Sequence, residues 1–167
     1  GKLTTFRLIA CDVMALALPK ISKSSDSERS EAGAIDDRVF KPLKLKPEDI
    51  LVDDTHRSRR LLGRYGDQSA AVLECANTDE LQKIESTHYC LAECRWAIKH
   101  ESVLHLDDLM LRRTRLGLLL PRGGDELFDS LQEIFAQELG WNNTRWNQEQ
   151  KRYLEIWQQH YSLPKSA

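Results

Sequence analysis

A chain of 167 residues is long enough for one domain with a real core and too short for two large ones. Its 24 lysines and arginines nearly balance 26 aspartates and glutamates, so the overall charge of −2 gives no reason to expect a nucleic-acid or membrane-surface protein. The four cysteines, Cys11, Cys75, Cys90 and Cys94, lack the spacing of a disulfide framework or zinc knuckle, and no secretory signal precedes them. A reducing, cytoplasmic compartment is the expectation. Cys90 and Cys94 would share a helical face near His88, and two free buried thiols are the expected reading over a metal site.

The chain starts at Gly1 rather than at a methionine and enters an apolar segment at once, which reads as a piece of a longer protein. Leu3 to Leu18 consists mostly of helix formers, with Leu8, Ile9, Ala10, Cys11, Val13, Met14, Leu16 and Leu18 spread around the helix. Such a helix is built for burial on several faces. Asp12 and its short length argue against a membrane span, and Pro19 should stop it. Ser22 to Gly33 (SKSSDSERSEAG) has the composition of a disordered or inserted loop. Lys41 to Asp49 is extended by two prolines. Asp53, Asp54 or Thr55 can then cap a helix running to Tyr65.

Beyond that point helical spacing recurs without convincing two-residue alternation. Stop signals fall at Gly66, Asn77-Thr78-Asp79, Ser86-Thr87, Pro121 to Asp125 and Gly140. The expected fold class is all-α, an irregular bundle of about five to seven helices. The division expected is residues 1–20, a helix; 21–49, a linker; and 50–164, a helical domain. In Glu126 to Leu139 one face carries Leu127, Phe128, Leu131, Ile134, Phe135 and Leu139, and Gly140 suits the left-handed closing position. Asn142 or Asn143 can cap the last helix, whose Trp146, Tyr153, Leu154, Trp157 and Tyr161 form a broad aromatic face.

Leu109 to Leu120, LMLRRTRLGLLL, sets three arginines among leucines. At α-helical spacing Leu106, Leu109, Leu116 and Leu120 form a stripe that includes Arg113, which therefore points inward. A buried guanidinium keeps its proton and needs a carboxylate, for which Glu93 and Glu101 are the candidates. Arg112 can pair with Asp108 one turn earlier, and Arg115 should face the border with another element. A structural ion-pair knot of Glu93, Glu101, Asp108, Arg112, Arg113 and Arg115 is the leading reading. An anion site or an interface with a missing domain is the second. Nucleic-acid docking is least favoured, because leucines and a methionine surround these arginines where further basic residues would be needed. A second basic group, Arg57, Arg59, Arg60 and Arg64, reads as a solvated or partner-facing helix face.

The residues also carry a family resemblance. Ala92 to Leu119, with Lys99-His100-Glu101, Leu106-Asp107-Asp108 and Arg112-Arg113-Thr114-Arg115-Leu116, resembles the C-terminal helical domain of FAD-dependent glycerol-3-phosphate dehydrogenases. Leu62-Gly63-Arg64-Tyr65-Gly66, Gly140-Trp141, Arg145, Glu149 and Tyr153 are similar to weaker stations of that domain. Gly1-Lys2-Leu3-Thr4-Thr5-Phe6-Arg7 resembles the segment that closes the family's flavin domain, so the first helix is the expected remnant of that domain. His105 departs from the family's threonine, and a histidine is the poorer helix cap.

The resemblance implies a parent that oxidises sn-glycerol 3-phosphate to dihydroxyacetone phosphate and passes electrons through FAD to quinone. Gly1, Lys2, Leu3, Thr4 and Thr5 would meet the flavin in that parent, while the fragment alone is expected to bind no cofactor or metal and to be inactive. The implied partners are the chain's own FAD-binding domain, a second copy of itself, and the inner membrane face as a peripheral protein; nucleic acid is not among them. The alternative function is an independent helical adaptor that uses the aromatic face at Trp146 to Tyr161.

Overall fold

The computed structural model describes residues 5–21, 42–50 and 54–163. It divides into two compact units, Gly1–Pro42 and Leu43–Ala167. The described residues form seven α-helices joined by short 3-10 turns, with no β-strand beyond one isolated antiparallel bridge, Lys83 with Cys90. None of these helices is long and apolar enough to cross a membrane.

In the first unit, α1 runs from Phe6 to Ile21 and includes Pro19. The expected stop at Pro19 is therefore overrun. A proline this close to a helix end forfeits a single backbone bond, so continuing for one more half-turn costs little. Phe6, Leu8, Ile9, Val13, Met14 and Leu16 are all exposed on α1. The serine-rich stretch Ser22 to Gly33 lies outside the described residues.

The second unit begins before the expected domain boundary. The Asp67 Oδ1 atom accepts from the N–H groups of Lys44 and Leu45 at 2.7 and 3.2 Å, and Leu45 packs on a small core of Ile50, Leu61 and Leu62. Asp54 caps α2 (Thr55–Tyr65), its Oδ1 accepting from His56 N at 2.8 Å, and Gly66 closes it at φ 59°. After α3 (Ser69–Glu74) and a turn at Thr78–Leu81, Thr87 closes a tight turn by donating its hydroxyl to the Ile84 carbonyl at 2.9 Å. α4 (Leu91–His100) follows and is buried at seven successive residues, Ala92 to Ile98.

The arginine stretch does not form the expected α-helix. Asp108–Arg113 is π-helical, with a wider turn of five-residue hydrogen bonds. That change of period moves the inward position one residue along. Thr114, fully buried, takes the place the α-helical phase assigns to Arg113, and Arg113 turns to the domain's border, half-buried. A short α5 (Leu116–Leu119), turns at Pro121–Gly123 and Asp125–Leu127, α6 (Phe128–Leu139) and α7 (Asn143–His160) complete the unit.

The α6 expectation holds at Phe128, Leu131, Ile134 and Phe135, which are buried, but Leu139 is exposed beyond the last packed turn. Gly140 adopts the left-handed conformation at φ 67°, as its position suggests, and Asn142 caps α7 through Arg145 N at 2.9 Å. Trp146 and Tyr153 of α7 lie inside the main core, where Phe128 meets both edge-on at ring separations of 6.1 and 6.0 Å. The aromatic face that an adaptor would need is thus largely spent on the domain's own packing. Leu154 and Tyr161 fall outside it.

Two glycines let α7 approach the arginine stretch. A Cβ on Gly117 would sit 2.2 Å from Tyr153 Oη. With glycine there, Tyr153 Oη donates to the Gly123 carbonyl at 2.5 Å and Trp157 Nε1 to the Gly117 carbonyl at 2.7 Å.

Candidate functional site

The charged residues of the second unit gather into three networks, each joining segments far apart in sequence. The first centres on Glu93, fully buried at the start of α4. Its Oε2 pairs with Arg60 at 3.0 Å and accepts from Cys90 N at 3.2 Å, while its Oε1 accepts from Tyr65 Oη at 3.1 Å. Arg60 and Arg64 lie over the Tyr89 ring at 4.2 and 5.3 Å. Arg64 donates to the phenols of Tyr65 and Tyr89 and to the Arg113 carbonyl. Burial and the Glu93 carboxylate raise the Tyr65 hydroxyl, which stays a neutral donor.

Of the two carboxylates expected for Arg113, Glu93 is thus already engaged. Glu93 belongs to Arg60, and Arg113 Nε donates instead to the main-chain carbonyl of Glu101 at 2.7 Å. Among the described residues no carboxylate pairs with Arg113. The physical cause is the π-helical turn, which removes Arg113 from the inward stripe and with it the need for a buried counter-charge. Of the α2 arginines expected to form a solvated or partner-facing face, two turn into the domain. Arg57 reaches the Leu81 carbonyl at 2.5 Å and Arg60 reaches Glu93, which leaves Arg59 solvated.

The second network ties the arginine stretch to α7. Asp107, buried, accepts from Arg112 and from Arg152 on its two oxygens. Burial alone would raise the Asp107 carboxyl, but the two guanidinium hydrogen bonds outweigh it and hold the group below its usual range. Glu149, also buried, meets Arg145 at 2.8 Å and His105 Nδ1 at 2.9 Å, and accepts from Leu106 N at 3.2 Å. Arg112 pairs with Asp108 at 3.1 Å across one turn, as the spacing predicts. Asp108 also accepts from Leu104 N and His105 N at 3.1 and 2.9 Å. It therefore does the capping that His105 cannot, and frees the imidazole to reach Glu149.

His105, Asp107 and Glu149 bring one ligand atom each within 4.8 Å of one another. The donor chemistry does not suit a cation, however, because both Asp107 oxygens and Glu149 Oε1 already hold guanidinium groups. This is an ion-pair hub.

The third network contains the buried guanidinium that the arginine stretch was expected to supply. Arg95 on α4 is 5% exposed and lies between Glu80 at 2.5 Å and Glu138 at 2.6 Å, with Gln137 Oε1 at 2.8 Å. Sequence reasoning passed over it. The available signal was its setting in AECRWAI, where a helix apolar on all sides leaves a charged residue no exit to solvent.

Cys90 and Cys94 are free and buried, and burial together with Glu93 raises both thiols. Of the residues expected to meet a flavin, Gly1, Lys2, Leu3 and Thr4 lie outside the described residues, and Thr5 immediately precedes α1.

The fold and its networks define an all-α domain in which charge locks helices together. The model of the C-terminal domain of alpha-glycerophosphate oxidase matches residues 46–146, and the chain belongs to that family. Glycerol-3-phosphate dehydrogenase 2 of Mycobacterium tuberculosis is 30% identical over 163 residues, which cover 92% of this chain and 28% of that protein. Glycerol-3-phosphate dehydrogenase of Mycobacterium leprae is 30% identical over 148 residues, 84% of this chain and 25% of that protein. The chain spans about a quarter of the length of these curated relatives. No solved structure matches it.

Proposed function

We propose that this chain is the non-catalytic C-terminal helical domain of an FAD-dependent glycerol-3-phosphate dehydrogenase, preceded by the last helix of that enzyme's flavin domain. The observation that carries the reading is the family match over residues 46–146, together with dehydrogenase relatives about four times longer. The parent oxidises sn-glycerol 3-phosphate to dihydroxyacetone phosphate and delivers electrons to quinone. It acts as a cytoplasmic protein held peripherally at the inner membrane face, with its flavin domain and a second copy of itself as partners.

FAD, when bound, accepts the hydride taken from the substrate carbon. Gly1, Lys2, Leu3, Thr4 and Thr5 would meet it ahead of α1, where the positive end of a helix favours negative charge on the flavin. The second unit's task is structural. Its networks fix α2, α4, the π-helical turn and α7 as one body that the flavin domain can lean on.

The test is the intact polypeptide encoded by the same gene. Purified, it should carry flavin and reduce a quinone analogue with glycerol 3-phosphate, while the 167-residue chain should do neither. A start codon at Gly1, or an intact polypeptide without that activity, defeats the reading.

A further inference from the structure

Leu104, Leu118, Leu119 and Tyr161 are exposed on the second unit by 70, 50, 54 and 50%. Trp157 Nε1 on the Gly117 carbonyl sets the end of α7 against α5, and Tyr161 follows one turn after Trp157. Asp108 accepts from Leu104 N and pairs with Arg112. Large apolar side chains left exposed on α5 and at the end of α7 mark a surface for a partner.

Arg115 is the informative member. It is exposed and left-handed, at φ 60°, a conformation that glycine adopts freely and that an arginine adopts against the steric preference of its Cβ. Its carbonyl accepts from Leu118 N at 3.0 Å, so it stands at the foot of the two exposed leucines. Among the described residues its guanidinium has neither hydrogen bond nor ion pair. No described residue of the domain uses the side chain that this strained position carries.

We infer that Arg115, Leu118, Leu119 and Tyr161 form a docking surface for an acidic, partly apolar protein surface carried by the polypeptide outside this chain. The occupant follows from charge and length. Arg115, without a counter-charge among the described residues, calls for a carboxylate, and relatives of this family carry about three quarters of their length beyond the matched part. The inference rests on the reading that a longer parent exists. It goes further in naming the face that meets the rest of that parent and the chemistry of the contact.

The test uses the intact polypeptide. Arg115→Lys offers an amine that a carbodiimide joins to a touching carboxylate without a spacer, and the expected product links residue 115 to an Asp or Glu outside residues 1–167. Hydroxyl-radical oxidation of Leu118, Leu119 and Tyr161 should be slow in the parent protein. It should rise by about tenfold in Arg115→Glu, as for an arginine at the centre of an interface. Arg115→Gly, which suits the backbone and removes only the cation, should also raise it and guards against misfolding of the glutamate variant. A cross-link to a second copy in an isotope-mixed sample, protection that appears only with anionic vesicles, or free oxidation in the intact protein each overturns the inference. Such a result alongside normal glycerol 3-phosphate oxidation separates its failure from failure of the functional reading.

Discussion

Thr114 is anchored to Leu109 by two hydrogen bonds, its main-chain N–H at 2.9 Å and its hydroxyl at 2.8 Å, both donated to the Leu109 carbonyl. This five-residue link closes the π-helical turn and carries Arg113 out of the core. Thr114→Val keeps the shape and removes the hydroxyl bond, so it should cost about 1 to 2 kcal/mol in urea unfolding. Arg113→Met gives up only the Glu101 carbonyl contact and should cost about 1 kcal/mol. Were Arg113→Met the more damaging of the two, the assignment of the inward position to Thr114 would be wrong.

Arg95→Met should be far worse. It leaves Glu80 and Glu138 facing each other without their shared guanidinium, and breaking a buried pair on one side costs about 3 to 5 kcal/mol. Replacing Glu80 and Glu138 with glutamine in the same variant should recover part of that loss. Thermal melts of the single and triple variants check both points.

Gly117→Ala should destabilise the domain by about 1 to 3 kcal/mol, the usual cost of overpacking, since its new Cβ would meet Tyr153 Oη at 2.2 Å. Tyr153→Phe removes the obstructing oxygen along with the bond to Gly123. In a double-mutant cycle the alanine should therefore cost less in the phenylalanine background. Simple additivity would count against the close approach of α5 and α7.

The Asp107 network gives the domain an acid-sensitive seam. A carboxylate whose folded value is depressed stabilises the fold fully above its unfolded pKa, about 4, and that contribution is lost as pH falls through the folded value. Stability should therefore decline with acidification below about pH 4, and Asp107→Asn should flatten that part of the profile while lowering stability at neutral pH. Unfolding followed by circular dichroism between neutral pH and the acid limit reads both effects. An unchanged acid slope in Asp107→Asn would show that other carboxylates govern it.

Much of the architecture was legible in the chain. The helix starts among Asp53, Asp54 and Thr55 and at Asn142 or Asn143, the stops at Gly66 and Gly140, and the buried stripe of α6 all rest on neighbours within a turn or two. Local backbone chemistry decides such features, and local sequence displays it. The family signature was legible for the same reason, as a run of contiguous residues. The Asp108–Arg112 pair followed from its spacing alone.

Partner choice was not legible, because it depends on which helices come to lie side by side. Glu93 and Glu101 are both candidates for Arg113 from the chain, and the fold gives Glu93 to Arg60 on α2 and leaves Arg113 only the Glu101 main-chain carbonyl. Arg95 finds its counter-charges at 80 and 138, and Asp107 finds Arg152 on α7. The α-helical period assumed for the arginine stretch was itself a local reading that packing overrode. A single widened turn exchanges Thr114 for Arg113 at the core because side-chain direction turns by roughly 100° with every residue. The sequence by itself thus determined the all-α class, the helix boundaries set by local caps and glycines, and the family. Only the tertiary structure decided which charges are buried and with whom, since a counter-charge is set by distance in space and the chain records only distance along itself.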